Sequence, residues 1–197
     1  MPIDMKVITS EMNQLIAKRN FKEMIEKAES IIDEHPSSYL GRWWMARILT
    51  FMGRTEDALD WLIEAMKRAD SDEEESKISS SIANVYNVMK QWENSLNYTT
   101  IALELNPSNV VAVIARSIAL SAMGKRKEAS RQLDLNQRLY VDSYQKACVA
   151  AVKRNKAKML KHLRKAVEET PHCKVTVQYD PDFAPYRGDP EFREITS

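Results

Sequence analysis

Residues 39–66 read YLGRWWMARILTFMGRTEDALDWLIEAM and carry the pattern that decides the fold. On both sides of Gly53, apolar side chains recur at i, i+3, i+4 and i+7, which is the spacing of an apolar stripe along one face of an α-helix. Glycine readily adopts the left-handed conformation with which many helices end, so Gly53 predicts a tight turn between two helices. The stretch therefore predicts a helix–turn–helix unit in which each helix buries one face.

The same unit recurs along the chain. Residues 110–135, VVAVIARSIALSAMGKRKEASRQLDL, again place two amphipathic stretches around a glycine, and Gly124 lies 71 residues after Gly53. Pro36, Pro107 and Pro171 each follow another stretch with helical spacing. Because proline lacks an N–H and disfavours helix at the preceding residue, each marks the end of a helix. These distances indicate a repeated unit of about 34 residues.

This pattern resembles the tetratricopeptide repeat, a helix–turn–helix unit with small residues where its two helices cross. In the second repeat, Ala46, Ala58 and Ala65 occupy the family's three small-residue positions. The resemblance implies an all-α, right-handed solenoid of antiparallel helix pairs, with five repeats in residues 1–171 that begin near residues 5, 39, 76, 110 and 140. The fourth repeat departs at Asn136 and is short, so we expect its second helix to be tilted or frayed.

Residues 172–197 break the repeat and are predicted to form a C-terminal capping tail. The segment DPDFAPYRGDPEF resembles the tail that often closes bacterial and archaeal arrays of this kind. A short final helix is predicted from about Pro190 after an Asp189 cap. Residues 173–179, CKVTVQY, have no helical period, and a strand is disfavoured because the chain offers no second strand to pair with it. Three aromatic side chains are predicted to cover the end of the last helix pair: Phe183, Tyr186 and Phe192.

Composition argues against several classes of protein. Only four of the 197 residues are glycine and they are scattered, so no glycine-rich loop of the kind that cradles phosphate is present. The 29 Lys and Arg balance 28 Asp and Glu, which argues against nucleic acid or a membrane surface as the partner. No apolar run approaches the ~18 residues that span a bilayer. We expect a soluble cytoplasmic protein with two free, buried thiols.

The resemblance also implies which side chains face the concave groove, because in this family the first helix of each pair lines it. Tryptophan and arginine often dominate interface energies, and asparagine can bond both the N–H and the C=O of an extended peptide. The two isoleucines in the set either accept an apolar anchor of a partner or touch the tail as it folds back into the groove. The predicted partner-binding residues are Trp43, Arg47, Asn84, Asn87, Ile114, Ile118 and Tyr144.

No catalytic residues, metal site or cofactor are predicted. Cys148, Cys173 and His172 match no known spacing of metal ligands. The carboxylates of DSDEEES, residues 70–76, are predicted to lie in a solvated loop without a pocket, so general acid–base chemistry is not indicated. We therefore do not expect an enzyme.

The sequence favours a non-catalytic module that holds a peptide or helix of another protein in its concave groove. The alternative is a self-assembling structural protein whose groove is filled by its own tail or by a second copy. Residues 54–76 hold nine acidic and three basic side chains, whereas residues 143–167 hold eight Lys or Arg and no acid. These faces are either solvated or meet head to tail in a homo-oligomer.

Overall fold

The structure, a computed structural model, describes residues 4–197, and no β-strand occurs among them. The predicted all-α fold is confirmed. Ten helices form the array: α1 (Met5–Ala17), α2 (Phe21–Glu34), α3 (Leu40–Phe51), α4 (Thr55–Met66), α5 (Asp72–Val88), α6 (Trp92–Leu105), α7 (Val110–Ala122), α8 (Arg126–Leu135), α9 (Ser143–Val152) and α10 (Lys156–Glu169). The tail adds α11 (Cys173–Tyr179), a 3₁₀ helix (Pro181–Tyr186) and α12 (Pro190–Thr196).

One type of turn joins the two helices of each consecutive pair. A residue with positive φ, between 55° and 84°, ends the first helix of every pair. The next N–H then donates to the carbonyl five residues earlier, as from Arg54 to Leu49 at 2.8 Å. This is the Schellman motif, which satisfies the last carbonyls of a helix. Glycine takes the left-handed position in two turns, and Arg or Lys takes it in three; the five residues are Arg19, Gly53, Lys90, Gly124 and Arg154.

One local prediction differs from the structure, and the structure defines one segment whose conformation the sequence leaves open. The acidic run at residues 72–75 is not a loop but the first turn of α5, where the Ser71 hydroxyl accepts a hydrogen bond from the Glu74 N–H. Carboxylates are favoured there because the helix dipole is positive at its N-terminus. Residues 173–179 form α11, although their sequence has no helical period. The expected distortion after α8 is present as a short 3₁₀ helix, Gln137–Leu139.

Large apolar side chains form two separate cores. The N-terminal core comprises buried residues of α1 to α5, with Trp44 at 0 % exposure among its largest members. The C-terminal core comprises buried residues of α7 to α10 and of the tail, including Phe183 and Phe192. The short helix α11 joins them, because Val175 is buried in the N-terminal core and Val177 in the C-terminal core.

Between the cores, α5, α6 and α7 pack through small and polar residues, which we call the polar middle. The Ser76 hydroxyl donates to the Ala102 carbonyl at 2.7 Å. The Asn109 amide donates to the Ser76 carbonyl and hydroxyl oxygens at 3.1 and 2.9 Å. Small side chains let the helices approach closely, and hydrogen bonds replace the contacts that large apolar groups make in the two cores.

The tail runs from α10 back to the first helices of the array. Tyr179 packs against Phe21 and Phe51, with ring centroids 6.3 and 5.3 Å apart. The Arg19 guanidinium donates to the Gln178 side-chain oxygen at 3.2 Å. The end of the tail returns to the C-terminal core, where α12 packs on α10. The tail thus contacts both ends of the array.

Candidate functional site

A cavity of about 440 Å³ lies on the inner side of the array. Its walls come from the first helices of four pairs, α3, α5, α7 and α9, and from the tail. Five of the seven predicted binding residues line it: Trp43, Arg47, Asn84, Ile114 and Tyr144. The structure therefore brings together predicted residues that are up to 101 positions apart in the sequence.

An aromatic surface with two cations forms the α3–α5 wall. The Arg47 guanidinium carbon lies 4.9 Å from the Trp43 ring centroid and 4.6 Å from that of Trp44. The Lys77 ammonium lies 4.2 Å from the Trp43 ring centroid. The Trp43 indole N–H donates to the Ser81 hydroxyl at 2.8 Å, which holds the ring in place. Cation–π contacts of this kind hold a charged group without a carboxylate partner.

Burial lowers the pKa of both cations, and the charge of Arg47 also lowers that of Lys77. Burial lowers the pKa of Arg47 to about 10, and the nearby Tyr144 and Asp180 oppose that shift. Burial, and then the charge of Arg47, lower the pKa of Lys77, while Glu73 and Glu74 raise it. Within residues 4–197, neither cation forms a salt bridge. Asp180 and Asp182 line the same cavity, but neither forms an ion pair with Arg47 or Lys77, so a negatively charged ligand group is favoured beside these two cations.

The other predicted residues in the cavity provide an amide and apolar contacts. Asn84 is half-buried, and its amide makes no hydrogen bond to any part of the chain that the structure describes. Ile114 is mostly buried but still lines the cavity. The Tyr144 hydroxyl donates to an Asp180 side-chain oxygen at 2.8 Å. Asn84 is thus the predicted residue whose polar side chain is available to a ligand.

Asn87 and Ile118 lie outside the cavity, contrary to the prediction. Asn87 is 2 % exposed, and its amide donates to the Ala115 carbonyl at 3.0 Å across the α5–α7 contact. The close approach of α5 and α7 buries this position, which the repeat pattern places at the groove. Ile118 is half-buried and packs against the C-terminal core rather than facing the cavity. Asn87 is therefore a structural residue of the polar middle.

Sequence reasoning allowed for a tail that folds back into the groove, but it did not identify the tail residues that line the cavity. The tail contributes four residues to the lining of the cavity: Thr176, Tyr179, Asp180 and Asp182. Their position depends on contacts between residues far apart in the sequence, such as Tyr179 with Phe21. The sequence feature that could have pointed to these tail residues is the DPD tripeptide at residues 180–182, which places two carboxylates on either side of a rigid proline.

Asp180 and Asp182 also lie next to a thiol. Three possible metal-ligand atoms come together here, namely the Cys148 sulfur and one carboxylate oxygen each of Asp180 and Asp182. They lie within 4.8 Å of one another. Burial raises the pKa of Cys148 and of Asp182 well above their usual ranges, and nearby carboxylates add to both shifts. Cys173, the second thiol, is also free and buried but lies outside this cluster. Among residues 4–197, no helix is both long enough and apolar enough to cross a membrane.

Comparisons with known proteins identify the fold. No protein-family model matches the sequence, and no curated protein matches it. A thermophilic TPR protein of Thermus thermophilus is similar in structure, with a TM-score of 0.68, 17% identity, and coverage of 88% of this chain and 96% of that one. A tetratricopeptide repeat protein of Parabacteroides merdae follows with a TM-score of 0.51, 15% identity, and coverage of 88% and 70%. MamA has a TM-score of 0.52 at 14% identity, with coverage of 86% of this chain and 96% of that one.

The chain therefore has the fold of the tetratricopeptide-repeat solenoids.

Proposed function

We propose that this protein is a non-catalytic binding module that holds an extended or helical segment of another protein in its inner cavity. Residues 1–171 would form the five repeats that carry the groove, and residues 172–197 the tail that caps them. One observation carries the proposal. Arg47 and Asn84 face the same cavity, and neither side chain has a hydrogen-bond partner among residues 4–197.

The side chains that line the cavity indicate which kind of protein segment would bind there. Arg47 and Lys77 would bind a carboxylate, because a half-buried cation gains more from an anion than an exposed one does. The Asn84 amide would bond one backbone N–H and one C=O of the segment. Ile114 would contact an apolar side chain beside them. The proposed ligand is therefore an acidic segment with one apolar anchor.

A paired-variant capture experiment tests this proposal. The variant Arg47→Met with Asn84→Ala removes the charge and the amide but keeps an unbranched apolar stem over the indole rings. The matched control, Arg131→Ala with Asn94→Ala, removes the same residue types from exposed positions on α8 and α6. Each protein is immobilised, exposed to lysate of its source organism, and the captured proteins are quantified by mass spectrometry.

The expected result is a set of proteins captured equally by the wild type and the control and lost with the cavity variant. Circular dichroism and urea unfolding establish that all three proteins are folded. Equal capture by all three folded proteins would contradict the proposal.

The position of the tail favours a second candidate, a structural protein whose groove is filled by its own tail. Tyr179 lies against Phe21 and Phe51 and lines the cavity, so the tail covers part of the inner surface. Tyr179→Ala distinguishes the two functions. If the tail competes with a partner, this variant captures more of it than the wild type does. If the tail is the resident occupant, neither form captures a partner that depends on Arg47.

The charged faces extend this second candidate to self-association. The acidic face of residues 54–76 and the basic face of residues 143–167 would meet between copies, and salt would weaken that contact. Light scattering at low and high salt measures it. A dimer that dissociates at high salt supports self-assembly, and a monomer at both salt concentrations contradicts it.

A further inference from the structure

The cluster of Cys148, Asp180 and Asp182 combines a thiol and two carboxylates from distant parts of the chain. Cys148 lies on α9, and the two aspartates flank Pro181 in the tail. Cys148 is 4 % exposed and Asp182 is 8 % exposed. All three residues line the inner cavity, so one side of the cluster faces open space.

The buried carboxylate of Asp182 lacks a partner outside the cluster. In residues 4–197 it accepts no hydrogen bond from a backbone N–H, and no Lys or Arg forms a salt bridge with it or with Asp180. Tyr144 donates to Asp180, and the Arg187 guanidinium reaches only the Asp180 main-chain oxygen, at 3.1 Å. A buried carboxylate without a charged partner is costly, and a bound cation removes that cost.

Arg47 is the nearby cation of the cavity, and it leaves the cluster free. Its guanidinium stacks over the rings of Trp43 and Trp44, and it makes no salt bridge to Asp180. The nearby Asp180 raises the pKa of Arg47, but the two groups form no ion pair. Cys148 and Asp182 interact with each other and with Asp180.

We propose that Cys148, Asp180 and Asp182 bind a divalent transition-metal ion of the Zn²⁺ type. A thiolate with two carboxylate oxygens is a ligand set that Zn²⁺ accepts, and the thiolate disfavours Mg²⁺ and Ca²⁺. Tetrahedral Zn²⁺ places its ligand atoms about 3.5 Å apart. The ligand atoms of the present cluster lie within 4.8 Å of one another, so they would approach by about 1 Å when the ion binds. Binding forms a metal–sulfur bond and releases the Cys148 thiol proton to solvent.

The ion would attach the tail to the fifth helix pair. Its protein ligands lie on α9 and just after α11, so binding would fix the segment that forms one wall of the cavity. The fourth coordination position faces the cavity, where water would complete it. This inference goes beyond the proposed partner binding and does not depend on it.

Titration of the full chain, purified without a histidine tag and stripped with a chelator, tests the site. Co²⁺ serves as the probe because a thiolate ligand gives an absorption band in the near ultraviolet that oxygen ligands do not give. The expected result is a band that saturates at one Co²⁺ per chain and disappears when Zn²⁺ is added. Zn²⁺ also raises the unfolding temperature, because it binds the folded state.

Three variants assign the ligands. Cys148→Ser abolishes the band, and Asp182→Asn weakens Co²⁺ binding at least tenfold (about the loss caused by removing supporting groups around a metal). Cys173→Ser is the matched control, since Cys173 is a second buried free thiol, and it retains the band. Absence of a band in the wild type, or a band that survives Cys148→Ser, would overturn the proposal. If Cys148→Ser does not fold, unchanged affinity in Asp182→Asn would overturn it instead.

Discussion

The two ends of this molecule and its middle are held together by different interactions. Trp44 lies in the N-terminal core and Phe183 in the C-terminal core, each at 0 % exposure among other large apolar side chains. The polar middle between them relies on buried Ser76 and Asn87 and on half-buried Asn109, whose side chains donate to main-chain oxygens of neighbouring helices. Apolar packing tolerates small shifts of a helix, whereas these hydrogen bonds require one position.

This difference explains where the cavity lies. Each core supplies one wall, with Trp43 from α3 on one side and Tyr144 from α9 on the other. The polar middle lies between them and presents Asn84 from α5 to the same space. The proposed binding site is therefore lined by residues of both apolar cores and of the polar middle between them.

The largest expected loss comes from Phe183→Ala in the C-terminal core. We expect the free energy of unfolding to fall by about 3–5 kcal/mol, because the substitution removes a fully buried ring and leaves a cavity. Urea unfolding measures the change. The control is Val141→Ala at a position 74 % exposed, with an expected change within about 0.5 kcal/mol. A loss below about 1 kcal/mol for Phe183→Ala would mean that the tail is not part of the core.

A smaller loss is expected from Asn87→Ala in the polar middle. It removes a buried hydrogen bond between α5 and α7 and leaves a small cavity, so we expect a loss of about 1–2 kcal/mol by the same measurement. Asn84→Ala is the matched control, because it removes the same side chain one turn earlier where no hydrogen bond is made. Equal losses for the two variants would contradict the distinction between a structural and a ligand-facing asparagine.

The sequence predicts much of this architecture but not the burial of Asn87. Apolar spacing and the Gly53 and Gly124 turns depend on local interactions, which is why helices α3, α4, α7 and α8 could be placed from the pattern alone. Whether a side chain at the groove position is open or covered depends on how closely α5 and α7 approach. The distance between α5 and α7 is set by small residues on both helices, and the apolar periodicity of each helix does not reveal it.

The smallest expected effects concern the turns. Gly53→Ala should cost about 1 kcal/mol, because alanine is strained at a φ of 77° although its Cβ would meet no atom within 4 Å. Lys90 has the same role at a φ of 59°, so Lys90→Gly should stabilise the protein by up to about 1 kcal/mol. Thermal unfolding compares the two variants. Changes in the same direction would show that the turns are not equivalent.

The path of the tail is the part that local sequence patterns predicted least. Residues 173–179 lack a helical period because α11 contacts both cores at once, with Val175 and Val177 buried on different sides. Their helix is fixed by partners as distant as Phe21, which no local pattern reveals. For the same reason the proximity of Cys148 to Asp180 became evident only from the structure.

Site-specific photo-crosslinking tests the proposed binding function most directly. A photoreactive aromatic residue replaces Val111, a 47 % exposed residue of α7 that lines the cavity and has no assigned role in binding, or, as the control, Asn94 at an exposed position on α6 outside the cavity. Each folded protein is illuminated in lysate of its source organism, and covalent adducts are identified by mass spectrometry. The account predicts an adduct with another protein from position 111 and none from position 94. No adduct from position 111, or the same adducts from both positions, would contradict it.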